Sequence, residues 1–451
     1  MKIALLLALC AAPAGAQPSA AEIQAIAERA YVFAYPLVLM EHTRQASLAA
    51  GPENRFSHRL QFPDSSDRAV VRPNADTLYS LSWIDLAQEP LALHVPDTQG
   101  RYYLMQFLDA WTDTFSVPGK RTTGTKESWF AIVGPGWRGS LPPRLERIES
   151  PTNMVWLVGR TQTNGPQDYA AVHEIQKGYL LMPLSQYPNG STAPPSSPPR
   201  TDNRAALPPP IQVARLTAAE FFREFAQLLR QNPPHPDDGP MMRDLARIGI
   251  ERGKPFEPEA LGREGLAAIE AGARAAAHAL EPAGPGTAKA GRSGWSNLGA
   301  KVGRYGTDYR TRARVARIGL GALPPEDAVY LNCEVDAEGK PLDGSRTYRM
   351  HFAKDALPPV QAFWSVAMYD DRGYFVDNPI RRYSIGDRDA LHFNGDGSLD
   401  LYAGSHAPGE GKDSNWLPAP AGKFNLTFRL YWPQAAALQG TWLPPAVRLE
   451  R

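Results

Sequence analysis

Between residues 80 and 160 the sequence is a succession of short apolar or alternating runs separated by proline and glycine. The runs are LYSLSWIDL, LALHVP, RYYLMQFLDAW, SWFAIVGP and NMVWLVGRT. This pattern is typical of the antiparallel strands of a β-sandwich. A second set of runs follows residue 328, among them VQAFWSVAMYD and FNLTFRLYW, with the turn signals DDRG and NGDGS between them. The second set predicts an antiparallel sandwich of jelly-roll type.

Helical periodicity separates the two sets of strands. Thr217 and Glu220 form a capping box in front of FFREFAQLLRQ, which predicts the start of a helix. A further helix is predicted near the N-terminus, where Pro36 is expected to kink or restart it. Helical patterns cover the segments 21–50, 168–181, 241–252, 258–280 and 299–320.

The first residues have the pattern of a secretory signal peptide. Lys2 is followed by an apolar run from Ile3 to Ala12 and by Ala14-Gly15-Ala16, a small-residue cleavage site. We therefore expect a periplasmic or secreted protein. Cleavage would leave Cys333 as the single cysteine, which cannot form an internal disulfide.

Charge and motifs exclude several classes of function. The formal net charge is +1 and no basic stripe is present, which argues against nucleic acid as a partner. After the leader no stretch is long and apolar enough to span a membrane. The sequence has no GxSxG, Walker, HExxH or CxxC motif, and its nine histidines are scattered. We therefore predict neither a cofactor nor a metal site.

The stretch RPNADTLYS combines polar residues with the start of a strand. Pro73 is expected to hold Arg72 in an extended conformation. Asn74 and Asp76 then either fix a loop through backbone hydrogen bonds or lie, together with Tyr79, at the mouth of a cleft. In the second interpretation a buried Asp76 acts as a general base.

Two aspartates follow the strand LMQFL. Asp109 and Asp113 are four residues apart, so in a continuing strand they would share a face at roughly 13 Å from one another. That separation is too long for the carboxylate pair of a glycosidase, so we do not predict this pair as the catalytic couple. Trp111 between them is a candidate for binding substrate.

Four residues near the start of the last predicted helix lie at helical spacing. Tyr305, Asp308, Tyr309 and Arg312 share one face, and Asp308 and Arg312 have the spacing of an ion pair. The face either docks on a sandwich or lines a cleft between domains, and the second interpretation makes Tyr305, Asp308 and Tyr309 catalytic candidates.

The C-terminal half contributes candidates for substrate binding. Arg381 and Tyr383 in the stretch RRYSIGD are suited to an anionic group. Trp416 is an aromatic that stacks either in the core or on a sugar or aromatic ring.

The sequence resembles bacterial proteins that pair an N-terminal domain of unknown function 1254 with a C-terminal domain of unknown function 1214. The first resemblance lies in AYPLVL, RPNADTLYS, DAWTDTF and GRYGTDYRTRA, and the second in FWSVAMYD, NPIRRYSIGD and NWLPAPAGKFNLTFRLYWP. The resemblance implies a mainly β fold with a helical insert: an immunoglobulin-like β-sandwich, an α-helical middle segment and a C-terminal jelly roll. It implies no reaction.

Together these observations predict five parts of the chain. They are a signal peptide at 1–16, an N-terminal helix and immunoglobulin-like sandwich at 17–187, a Pro-rich linker or arm at 188–210, a helical segment at 211–325 and a C-terminal jelly roll at 326–451.

Our leading functional hypothesis is an exported hydrolase acting on a small or oligomeric organic substrate at the junction of these domains. The alternative is a non-catalytic periplasmic protein that binds a glycan or another small molecule. A third is an assembly subunit, a homo-oligomer in which the Pro-rich arm reaches a neighbouring copy.

Overall fold

The chain is described here by a computed structural model that covers residues 18–48, 51–68, 71–188, 207–281, 293–297 and 299–450. Helices make up about 30% and strands about 26% of it. The protein therefore has a mixed α and β structure with several sheets and a helical middle segment, instead of the mainly β structure that we expected. The predicted signal peptide and nearly all of the Pro-rich arm lie outside the described residues.

The N-terminal β unit contains two sheets. The first has the strand order β1-β2-β8-β4-β5 and the second β7-β6-β3-β9, and only the β6–β7 pair is parallel. Side chains such as Ile84, Phe107 and Phe130 from both sheets are buried between them. The strands are β1 (Ser57–His58), β2 (Thr77–Asp85), β3 (Leu91–Val95), β4 (Tyr103–Asp109), β5 (Thr114–Ser116), β6 (Ser128–Val133), β7 (Glu146–Glu149), β8 (Met154–Gln162) and β9 (Leu180–Pro183).

The C-terminal β unit also contains two sheets. Their orders are β10-β11-β17-β13-β14 and β16-β15-β12-β18, and only the β15–β16 pair is parallel. Phe352 of one sheet and Trp364 and Phe428 of the other share a core. The strands are β10 (Trp295–Asn297), β11 (Ala328–Cys333), β12 (Tyr348–Phe352), β13 (Val360–Asp370), β14 (Ser384–Gly386), β15 (Leu399–Gly404), β16 (Trp416–Pro418), β17 (Phe424–Pro433) and β18 (Arg448–Leu449).

A helical unit is built around the first helix of the chain. Helix α1 contacts α3, α4, α5, α6 and α7, and its residues Phe33 to Met40 are buried on every side. Pro36 lies inside α1 and does not restart it. The α-helices of all three units are α1 (Ala20–Leu48), α2 (Tyr169–Lys177), α3 (Pro209–Ala214), α4 (Ala218–Gln231), α5 (Gly239–Arg247), α6 (Gly262–Ala279), α7 (Tyr309–Gly319) and α8 (Ala435–Leu438).

Local signals explain how two of these helices begin. The predicted capping box is confirmed: the Thr217 side chain accepts a hydrogen bond from the backbone N–H of Glu220, the Glu220 carboxylate accepts one from the backbone N–H of Thr217, and α4 follows. Helix α7 is shorter than predicted, because residues 299–308 form turns and Asp308 caps the helix. No described helix is both long and apolar enough to cross a membrane.

The three units meet at two junctions. Tyr102 and Leu104 of the N-terminal β unit share an apolar cluster with Phe363 and Tyr431 of the C-terminal β unit. On another side, Trp111 enters the core of the helical unit. A polar cluster lies at each of these junctions.

Candidate functional site

The carboxylate of Asp76 joins the two β units. It is 0% exposed and lies just before β2. Its Oδ2 accepts hydrogen bonds from Ser365 Oγ at 2.7 Å and from Tyr431 OH at 3.2 Å, and its Oδ1 accepts one from Arg388 at 2.5 Å. Both oxygens of Asp76 are therefore bound by residues of the other unit. We call Asn74, Asp76, Ser365, Arg388 and Tyr431 the interdomain network.

Asn74 holds the loop in which Asp76 lies. Its Oδ1 accepts hydrogen bonds from the backbone N–H groups of Asp76 at 2.6 Å and Thr77 at 3.1 Å. Its Nδ2 donates to Tyr431 OH at 2.7 Å. These contacts are those of a loop-fixing asparagine, and they also tie the loop to the C-terminal β unit.

The backbone around Pro73 is also hydrogen-bonded to the C-terminal β unit. The expected extended conformation of Arg72 was wrong: its φ is +52°, and its N–H donates to the carbonyl of Gly373 at 2.7 Å. The carbonyl of Arg72 accepts from Arg429 at 3.1 Å, and that of Pro73 accepts from Tyr369 OH at 2.7 Å. The hydrogen bonds from the C-terminal unit outweigh the local preference of a residue before proline.

Tyr79 lies further along β2, against Arg160 of β8. The guanidinium of Arg160 stands 5.1 Å from the centre of the Tyr79 ring, and its Nε donates to the Tyr79 hydroxyl at 3.3 Å. Tyr79 thus binds Arg160 through its ring and its hydroxyl, and it belongs to neither polar cluster.

Three other candidates lie apart from both clusters. Arg381 is exposed on a loop with φ +51°. Tyr383 stacks on Phe375 at 4.7 Å, and Trp416 is buried and donates from Nε1 to a carbonyl of β15 at 2.9 Å. Among the described residues, no hydrogen bond or ring contact joins these three residues to Asp76, Tyr305 or Tyr309.

The chain turns sharply where β4 ends. Thr112 has a φ of +73°, and the N–H of Asp109 donates to the carbonyl of Asp113 at 2.9 Å. Oδ1 of Asp109 accepts from the N–H groups of Trp111 at 2.9 Å and Asp113 at 3.0 Å. The expected separation of roughly 13 Å between the two carboxylates was therefore wrong, because the strand does not continue beyond Asp109.

His235 comes to this turn from the helical unit. It lies between α4 and α5, and its Nε2 is hydrogen-bonded to Oδ2 of Asp109 at 2.6 Å. Trp111 donates from Nε1 to the carbonyl of Pro233 at 2.8 Å. Together these bonds dock the loop between α4 and α5 on the end of β4.

The start of α7 completes the site. Tyr305 donates its backbone N–H to Oδ1 of Asp113 at 2.7 Å. Tyr309 OH donates to Oδ1 of Asp238 at 2.9 Å. Asp308 caps the helix and does not pair with Arg312 as its spacing predicted.

Arg312 lies at the centre of this junction. It is 0% exposed, and its guanidinium carbon is 5.1 to 5.3 Å from the ring centres of Phe33, Trp111 and Tyr309. The nearest carboxylate oxygen is Asp113 Oδ2 at 3.7 Å, which is beyond hydrogen-bond length. Across the described ranges, none of the three guanidinium nitrogens has a hydrogen-bond acceptor. We call Asp109, Asp113, His235 and Arg312 the junction cluster.

Burial and charge change the protonation of this cluster. Burial, with the neighbouring charge of Asp109, raises the pKa of Asp113 to about 6. For His235, burial opposes the charged form, but the hydrogen bond to Asp109 outweighs it and raises the pKa of the imidazole. Asp113 and His235 remain partly accessible, with side-chain exposures of 15% and 19%. The cluster therefore holds one carboxyl group that exchanges its proton near neutral pH.

A metal ion is a poor fit to this cluster. Oxygens of Asp109 and Asp113 and a nitrogen of His235 lie within 4.8 Å of one another. However, Asp109 Oδ2 and His235 Nε2 are 2.6 Å apart, whereas two ligands of one zinc ion stand about 3.3 Å apart. The buried charge of Arg312 beside them also repels a cation. We interpret the cluster as hydrogen-bonded groups.

The structure gathers some of the sequence candidates and separates others. Trp111, Tyr305, Asp308 and Tyr309 lie at or beside the junction cluster, while Asn74 and Asp76 form the interdomain network. Sequence reasoning missed Asp109, Asp113, His235 and Arg312 as members of one site. The available signal was weak: His235 lies in PPHPDDGP, where a histidine between prolines has no helical or strand role.

Comparison with known proteins identifies the two β units. The family described as protein of unknown function DUF1254 matches residues 53–183, and that described as protein of unknown function DUF1214 matches residues 327–435. The chain belongs to the family of two-domain proteins that pairs them. Asp109 and Asp113 fall within the first match, whereas His235 and Arg312 lie between the two matches.

A solved structure has the same architecture. The VPA0106 protein of Vibrio parahaemolyticus is 26% identical, with a TM-score of 0.71 over 95% of this chain and all of that one. An uncharacterised protein of Burkholderia cenocepacia is 11% identical with a TM-score of 0.44, too low to support an argument. No curated protein matches the sequence.

Proposed function

We propose that the protein is a hydrolase-type enzyme whose reaction takes place at the junction cluster, with Asp113 as its catalytic acid and base. The substrate would be a small or oligomeric organic molecule. One observation carries this proposal: a carboxyl group with a pKa of about 6 lies beside a hydrogen-bonded aspartate–histidine pair. Burial, like charges and partial access together are typical of catalytic carboxyl groups.

The chemistry follows from the protonation of these groups. When substrate is bound, protonated Asp113 donates its proton to the leaving group, and the resulting carboxylate takes a proton from the attacking water, so Asp113 ends as it began. Asp109 orients the imidazole of His235 and favours its charged form. That positive charge stabilises negative charge that develops on the substrate. Proton transfer is thus assigned to Asp113 and no longer to Asp76.

The test needs a detected activity and two matched variants. Chromogenic esters, amides and glycosides are screened first, and Asp113→Asn is then compared with Asp237→Asn, which changes an exposed neighbour. We expect Asp113→Asn to lower kcat by about 100-fold or more and Asp237→Asn to leave kcat unchanged. Equal turnover in the two variants would reject the assignment.

A second candidate function has its own support. The C-terminal β unit has a surface cavity of about 360 Å³ lined by apolar side chains, among them Trp364 and Phe393, together with Asp387 and Asp389. Such a cavity suits a non-catalytic protein that binds a glycan or another small molecule. Ligand-dependent quenching of Trp364 fluorescence, lost in Trp364→Phe, without any turnover would favour this function.

We further propose that the protein acts after export, in the periplasm or outside the cell, and that its β units are of the immunoglobulin and jelly-roll types. The leader pattern at residues 1–16 supports export. Two stacked and mainly antiparallel sheets in each unit support the fold types. Cell fractionation, with N-terminal sequencing of the mature chain, tests export.

A further inference from the structure

Arg312 differs from two other deeply buried arginines of the chain. Arg160, 6% exposed, donates hydrogen bonds to a tyrosine hydroxyl, a glutamine side chain and a backbone carbonyl. Arg429, 4% exposed, donates to a carbonyl and a tyrosine hydroxyl. The fold supplies acceptors to these two guanidinium groups, but the part of the chain that the structure describes supplies none to Arg312. Because buried polar groups are normally hydrogen-bonded, this exception indicates an acceptor from outside the described residues.

Two polar groups that face each other mark where that acceptor would bind. NH1 of Arg312 and Oδ2 of Asp113 face each other at 3.7 Å, too far for a direct hydrogen bond. Like the guanidinium, Oδ2 of Asp113 has no hydrogen-bond partner among the described residues. The other oxygen of Asp113 is already held by the N–H of Tyr305. One donor group and one carboxyl oxygen, both buried, therefore have hydrogen-bonding capacity left for the same ligand.

We propose that the junction cluster binds the carboxylate group of an organic anion between Arg312 and Asp113. A guanidinium donates only, so its partner must be an acceptor, and a planar carboxylate matches it best. One ligand oxygen accepts from Arg312 and the other accepts the O–H of protonated Asp113. Arg312 repels a cation, and a dianion such as phosphate would face the carboxylates of Asp109 and Asp113 with a single arginine.

The surroundings define the rest of the ligand. Phe33, Trp111 and Tyr309 enclose the guanidinium with aromatic faces, which favour a flat or apolar body next to the carboxylate. Arg312 is fully enclosed while Asp113 and His235 keep partial exposure. The ligand therefore enters from the side of Asp113 and His235.

Binding is coupled to protonation of Asp113. The titratable and charged groups that face this carboxyl are Asp109, His235, Arg312 and Tyr305. An anion that arrives next to Asp113 favours its protonated form, so the ligand is taken up together with a proton. Affinity is then highest below about pH 6 and falls as the pH rises. This inference rests on the proposed function for the position of the site, but binding is measured without turnover.

The experiment compares benzoate with its neutral isostere benzamide by titration calorimetry at about pH 5.5 and about pH 8. At the lower pH we expect benzoate to bind at least about tenfold more tightly than benzamide, and at the higher pH to lose about tenfold or more. Asp113→Asn, whose amide donates at every pH, should lose most of this pH dependence. Arg312→Gln should lose at least about tenfold, while Arg314→Gln, on the exposed face of α7, should not.

Equal affinity for benzoate and benzamide would overturn the proposal, as would no benzoate binding at tens of millimolar concentrations. A crystal structure at such a concentration that shows only water between Arg312 and Asp113 would do the same. Arg312→Gln and Asp113→Asn are checked by melting temperature, and Asp113→Asn keeps the test valid if Arg312→Gln fails to fold. If benzoate binds but no turnover is found, the hydrolase proposal fails alone. If turnover is found but benzoate does not bind, the proposal of a carboxylate ligand fails and the hydrolase proposal stands.

Discussion

The interdomain network and the junction cluster both centre on an aspartate near an arginine, yet their hydrogen bonds differ. Asp76 uses both oxygens on partners from the other β unit, among them Arg388 at 2.5 Å. Asp113 uses one oxygen on the backbone and keeps the other 3.7 Å from Arg312, without a hydrogen bond inside the described ranges. We expect the satisfied charge pair to stabilise the joint between domains, and we propose that the unsatisfied one takes part in binding and proton transfer.

The largest expected effect on stability comes from breaking the ion pair between Asp76 and Arg388. Asp76→Asn should lower the free energy of unfolding by about 3–5 kcal/mol, because Arg388, whose side chain is only 14% exposed, loses the carboxylate that it contacts at 2.5 Å. The measurement is denaturant unfolding at neutral pH. Asp377→Asn, an exposed change in the C-terminal β unit, should cost less than about 0.5 kcal/mol. If Asp76→Asn costs no more than this control, the interdomain network does not stabilise the joint.

The same substitution of aspartate by asparagine at Asp113 should raise stability instead of lowering it. Its folded pKa of about 6 lies above the value of 3.8 expected for an unfolded aspartate, so the folded state binds more protons between these values. Stability of the wild-type protein is therefore lost as the pH rises from about 4 to about 6. Asp113→Asn removes this loss and should stabilise the protein by up to about 3 kcal/mol at pH 7.5.

Denaturant unfolding at about pH 4.5 and pH 7.5 measures this effect. The gain should shrink at the lower pH, where wild-type Asp113 is largely protonated. A loss of stability at pH 7.5, as predicted for Asp76→Asn, would show that both aspartates stabilise the fold through their ionised carboxylates.

The smallest expected effects concern one tyrosine hydroxyl in the interdomain network and one beside the junction cluster. Tyr309→Phe removes the hydrogen bond to the buried carboxylate of Asp238, and we expect a cost of about 1.5 kcal/mol. Tyr431→Phe removes the hydroxyl shared by Asn74 and Asp76 and should cost about the same. Only Tyr309→Phe should also change turnover, since its ring lies against Arg312. Equal turnover in the two variants would weaken the functional distinction.

The sequence predicted local structure well and long-range contacts poorly. The short strands and the capping box at Thr217 depend on neighbours in the sequence, and the structure has them. The turn after Asp109 was missed because alternation within β4 does not reveal where the strand ends. His235 lies 126 residues from Asp109, so no spacing rule could pair them. Asp76 was read as a possible base because its partners Ser365 and Arg388 belong to the other β unit.

The central claim is that the carboxyl group of Asp113 gains and loses its proton near pH 6. The pKa of Asp113 in the folded protein tests this claim most directly. Carbon-13 NMR of the aspartate carboxyl carbons is recorded across pH, and the Asp113 signal is assigned as the one missing from Asp113→Asn. We predict a midpoint near pH 6, and a lower one in Asp109→Asn, where a neighbouring negative charge is removed. A midpoint at or below about pH 4, the ordinary value for aspartate, would contradict this account.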